Sequence, residues 1–181
     1  MTLFLRILYC LPVLLFAGCS PRGGRSDVQE RLLMHSSFEY LEACSKTHQD
    51  NLTTEKAHTG SVSMFVDAQH PFSATYRKEL GALCDHRPRR LTLSAWVWVP
   101  TPDDDAVIVM ALANPSDPDH PIFSKHIFMT PLGSFGKWKR IRQSFELPAD
   151  IHANTQLILY LWHSNAQSTV YSDDWELTEL W

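Results

Sequence analysis

What most limits this chain's fold is the repeated return of period-2 alternation, in β-branched and aromatic runs broken by Pro, Gly, Asn and Asp. Helical periodicity is hard to find after residue 30. The alternation predicts strands over 32–39, 61–66, 73–80, 90–99, 106–113, 122–130, 138–147, 156–163 and 168–180. Turn chemistry separates them, as in His58-Thr59-Gly60, Pro100-Thr101-Pro102 and Asn114-Pro115-Ser116. Eight or nine strands at this spacing predict an all-β, two-sheet antiparallel sandwich wired as a jelly roll, with one face of each sheet buried.

The run 90–99 shows both faces of one strand. Leu91, Leu93, Ala95, Val97 and Val99 fall on an aliphatic side, and Thr92, Ser94, Trp96 and Trp98 on the other. The run 156–163 repeats the contrast, with Leu157, Leu159 and Leu161 opposite Gln156, Ile158, Tyr160 and Trp162. The aliphatic sides are the expected core. Aromatic rings on an outward sheet face can carry the flat C–H faces of sugars, which makes Trp96, Trp98, Tyr160 and Trp162 the candidate ligand-binding residues if the two strands share a sheet. The alternative is that loops cover these indoles and they are simply core.

The N-terminus has the three-part layout of a secretory signal: Arg6, an apolar run from Ile7 to Phe16, then small residues before Cys19. That run is shorter than the roughly 20 apolar residues a membrane-spanning helix needs. Phe16-Ala17-Gly18-Cys19 resembles the lipobox of bacterial lipoproteins, although Phe16 departs from the usual Leu. The resemblance implies removal of residues 1–18 as a signal peptide and lipidation, palmitate included, of Cys19. Residues 19–30 then form a polar tether, and 31–181 the folded domain. Ser20 after the cysteine, in place of an Asp, points to the outer membrane of a cell envelope.

Cleavage leaves about 160 residues, enough for one domain with a full core. The whole chain carries 16 Lys+Arg against 20 Asp+Glu, and this mild acidity argues against nucleic acid as a partner. Cys44 and Cys84 remain, either as a disulfide favoured by an oxidising compartment or as two buried thiols. Nine histidines show no close ligand pairing. Asp103-Asp104-Asp105 reads as a solvated loop, and His86 to Arg90 as a short basic surface patch. No G-x-S-x-G, H-E-x-x-H or phosphate loop is present, so the expectation is a non-enzyme.

Five pieces in order are similar to galactose-binding-like jelly rolls, and within them to carbohydrate-binding modules of families 4, 9 and 22. They are Ser36-Ser37-Phe38-Glu39, the turn Ala57 to Met64, Leu91 to Val97, Gly136 to Arg140 with Phe145 to Pro148, and Val170 to Leu177 with its Asp173-Asp174. The resemblance implies a non-catalytic module for a glycan or cell-wall polymer. It also implies one structural calcium, held by Glu39, a carbonyl at Gly60 or Ser61, and Asp173 or Asp174, in keeping with calcium's preference for carboxylates and carbonyls. The alternative is a structural lipoprotein that binds an envelope protein and has no sugar site.

Overall fold

A computed structural model describes residues 29–39, 51–165 and 167–181. The expected signal peptide, Cys19, most of the tether and Cys44 lie outside the described residues.

The described residues form ten strands: β1 (Glu30–Ser36), β2 (Leu52–Thr53), β3 (Ser63–Val66), β4 (Tyr76–Glu79), β5 (Arg90–Trp98), β6 (Asp105–Ala113), β7 (Phe123–Phe128), β8 (Trp138–Glu146), β9 (Gln156–Asn165) and β10 (Val170–Leu180). One helical turn, α1 (Leu80–Leu83), follows β4, and a 3-10 turn (Thr130–Leu132) follows β7. Nine strands fall on the nine predicted runs. The tenth, β2, has two residues and is too short to show a period. β1 begins at Glu30, the last residue assigned to the tether.

The strands form two antiparallel sheets. A six-stranded sheet runs β2-β3-β10-β5-β8, with β1 also paired to β10; a four-stranded sheet runs β4-β9-β6-β7. The inner faces meet in one core: Leu91, Leu93, Ala95 and Val97 of β5 and Leu177 of β10 pack with Ile108, Met110 and Leu112 of β6 and Leu157, Leu159 and Leu161 of β9. Each fully buried aliphatic side chain of this kind contributes about 1.5–3 kcal/mol, so the two expected aliphatic sides hold the sheets together.

β10 stays in phase with this core only because it carries a bulge. Asp173 pairs with Trp96 and Glu176 with Ser94, so β10 spends one more residue than β5 between the two pairs. Asp174 adopts a left-handed φ of 48° there. The inserted residue flips every later side chain to the other face. Trp175 and Leu177 therefore point inward, where the Trp175 indole N–H donates to Ser172 Oγ at 2.7 Å.

Candidate functional site

The outward face of the four-stranded sheet combines a small aliphatic floor with raised rings. The register puts Val107, Val109, Ala111 and Ala113 of β6 on this face beside Ile158, Tyr160 and Trp162 of β9. On the other flank, Val107 pairs with Phe128 and Val109 with His126 of β7. Phe72, in the segment before β4, bridges to Trp162, and their rings lie nearly parallel at 6.4 Å between centroids. Tyr160 lies 6.2 Å from Phe72, and His126 lies 6.3 Å from Trp162.

Phe72 is 56% exposed and Phe128 48%, and on this face they flank further rings, the contiguous arrangement that marks an interaction site. Polar groups stand at the margin: Arg77 of β4 faces outward with Ile158 and donates to Gln156 Oε1 at 3.2 Å. Flat rings bordered by a guanidinium, an amide and an imidazole match a ligand with C–H faces and hydroxyl edges.

Trp96 and Trp98 belong elsewhere. β5 and β9 lie in different sheets, so these indoles and the Tyr160–Trp162 pair are on opposite outer faces and do not form one row. Both are partly buried, with other side chains packed on their rings. The His58 ring stacks on Trp96 at 3.8 Å and 13°, and the Lys56 ammonium sits 5.1 Å from the Trp98 ring centroid and 5.4 Å from that of Tyr171. Trp138 meets Trp98 edge-on at 6.0 Å. Across the rest of this face, Arg90 pairs with Glu146, Arg142 with Glu30, and Arg140 with Glu176.

The expected calcium ligands cluster at the 58–62 turn, with their oxygens turned to backbone N–H groups. Glu39 Oε1 accepts from Ser61 N at 2.8 Å and Val62 N at 2.7 Å. Asp173 Oδ2 accepts from the His58 and Thr59 N–H groups, and its Oδ1 from Asp174 N. Burial pushes the Asp173 carboxyl above its usual range against the pull of these N–H donors. Asp174 is held by His58 Nδ1 and by the Thr59 hydroxyl, each at 2.6 Å. Among the described residues no three His, Cys, Asp or Glu side chains converge as a metal site, and the carboxylates of Glu39, Asp173 and Asp174 each accept from protein donors at this turn.

Two further expectations meet the structure differently. Asp104 is not solvated: it is fully buried, with Oδ2 accepting from the Thr101 N–H and hydroxyl and Oδ1 from Gln167 N and Ser168 N. Burial raises its pKa, but the Thr101 hydroxyl and the three N–H groups outweigh that and hold it below the ordinary carboxylate value. Cys84 is buried with its thiol toward the Leu80 carbonyl at 3.5 Å; burial pushes its pKa up. Its possible partner Cys44 lies outside the described residues.

The sequence reading missed Phe72, Phe128, His126 and Arg77. Period-2 alternation within the 122–130 run does set Ser124, His126 and Phe128 on one side. What it lacks is the pairing to β6, which carries that side to Trp162.

No protein-family model matches the chain, and no curated protein matches it. Solved structures do. A xylan-binding family-22 carbohydrate-binding module of Paenibacillus barcinonensis Xyn10C superposes with a TM-score of 0.53 at 14% identity, covering 81% of this chain and 99% of that one. The C-terminal family-22 module of Clostridium thermocellum Xyn10B gives 0.52 at 13% identity, covering 81% and 91%. A family-16 carbohydrate-binding module gives 0.52 at 13% identity, covering 81% and 99%. At such identities the likeness is one of fold.

Proposed function

From a fold shared with carbohydrate-binding modules, we propose that this domain is a non-catalytic, lipid-anchored glycan-binding module of the cell envelope. A glycan chain lies across the outward face of the four-stranded sheet and stacks on Phe72, Tyr160, Trp162 and Phe128. Arg77, Gln156 and His126 meet its hydroxyls. The observation that carries this reading is the group of partly exposed rings beside the small residues of β6. Function is argued from this site because sandwiches of one fold serve many roles.

The test is a polysaccharide screen, with xylan included, on a soluble fragment beginning at Ser20, run beside folded Trp162→Ala, Phe72→Ala and Trp96→Ala variants. Removing a central stacking ring is expected to cost about 2 kcal/mol, roughly thirtyfold in Kd. Trp162→Ala and Phe72→Ala lose binding, while Trp96→Ala keeps it. Binding that survives the first two and fails in Trp96→Ala moves the site to the other sheet. Silence across the screen from folded protein leaves the protein-interaction lipoprotein.

The anchor rests on the lipobox-like segment ending at Cys19. Several acyl chains on one cysteine hold far more tightly than the marginal grip of one. In cells, Cys19→Ala is expected to leave the membrane fraction and to stop incorporating labelled palmitate.

A further inference from the structure

Glu179 lies on the inward side of β10, paired with Leu91 of β5 and Arg31 of β1. Its side chain is 2% exposed. A carboxylate so placed needs partners for both oxygens, since an unmet charged acceptor bears its full desolvation penalty. Oε1 has one, the His86 Nε2 at 2.7 Å. Among the described residues Oε2 has none, and neither does Thr178 Oγ1 next to it in sequence.

Among the described residues the hydrogen-bond support for this acid is therefore His86, from the loop after α1. The other nitrogen of that ring, Nδ1, stands 2.8 Å from Asp85 Oδ1. With a carboxylate at each nitrogen, both bonds form only when the imidazole is a cation, because neutral histidine donates from one nitrogen alone. The other charged and titratable groups around the pair are Arg31, Cys84, Arg87 and His152. Arg31 reaches Asp85 at 3.7 Å and donates to the Leu83 carbonyl. Arg87 donates to the Ala149 carbonyl, and with Cys84, Asp85, His86 and His152 it lines a pocket of about 290 Å³ beside the pair. The Trp181 ring meets His86 edge-on at 6.3 Å.

We infer that His86 is a proton-operated latch. As a cation it clasps loop 84–87 to the inward-facing Glu179 of the last strand; as a neutral ring it gives up its charge and one of its two bonds, and the β1–β10 end of the sandwich loosens. The direction follows from linkage. The Asp85 hydrogen bond, then that of Glu179 and its charge, raise the His86 pKa above its ordinary 6.5. The support is thus complete below about pH 6.5 and is lost as pH rises through the higher folded-state value.

The test uses the full chain in detergent micelles. The His86 ring is titrated by NMR, and amide exchange of β1 and β10, corrected for intrinsic rates, is followed from pH 5.5 to 9. Protection of these strands is expected to fall as His86 loses its proton. In His86→Gln it starts low and stays flat. In Glu179→Gln, which needs no cation, it changes little with pH. Wild-type protection that ignores the His86 titration overturns the inference, as does a wild-type pH profile retained in Glu179→Gln; both readings survive a failure of His86→Gln to fold.

Discussion

Replacing Asp104 should damage the fold without touching the ring-bearing face. In Asp104→Ala, the N–H groups of Thr101, Gln167 and Ser168 and the Thr101 hydroxyl lose their common acceptor. Hydrogen bonds to a charged group are worth about 1.5–3 kcal/mol each, which would put four near 6 kcal/mol or more. Thr101, Gln167 and Ser168 are exposed residues whose freed donors reach water, so the expected loss is about 3–4 kcal/mol. For a domain of this size that is on the order of 10 °C in Tm. Asp104→Asn keeps one acceptor oxygen and turns an N–H₂ toward donors, for about 2 kcal/mol. Urea unfolding of both variants, with glycan binding measured alongside, is the assay. The acid limb gives a second reading. The lowered pKa of Asp104 means its support is present above the ordinary carboxylate value of 3.8 and is lost as pH falls through the folded-state value, so wild type should lose more stability in acid than Asp104→Asn. A loss under 1 kcal/mol in the alanine variant, or identical acid limbs, refutes the reasoning.

Gly60→Ala combines two costs, because its φ is 63° and the new methyl would stand 2.3 Å from Glu39 Oε1. Left-handed strain of about 1–2 kcal/mol joins the displacement of an acceptor for two backbone N–H groups, giving about 3 kcal/mol by urea unfolding; Glu39→Gln should lose less. Because the carboxylates at this turn already hold backbone donors, exchanging millimolar calcium for EDTA should leave the unfolding midpoint of the Ser20 fragment unchanged, and a rise of several degrees with calcium would contradict the geometry.

The parts of this fold legible in the sequence were those governed within a single strand. Alternation in the 90–99 and 156–163 runs marked Leu91, Leu93, Leu157, Leu159 and Leu161 as core, and all are fully buried. It could not say which strands share a sheet, so Trp96 and Trp162 looked like neighbours when the core lies between them. The ring stacked on Trp96 comes from His58, thirty-eight positions earlier, and the buried Asp104 is held by N–H groups sixty-three and sixty-four positions later. Neither has a local signature. The candidate site was half legible for the same reason: Tyr160 and Trp162 stood out in one strand, while Phe72 and Phe128 join them only through pairing.

The bulge at Asp174 does more than deliver Trp175 to the interior. Beyond it, parity couples positions 175, 177 and 179, so no local adjustment can turn the tryptophan inward and leave the acid outside. Glu179 is interior because Trp175 is, and deleting one residue at 174 would exchange the roles of every side chain after it. Indole and carboxylate would then reach solvent together, while Glu176 and Thr178 were carried inside. The last seven residues thus behave as one heritable unit, in which a proton-sensitive acid is the geometric companion of an aromatic anchor.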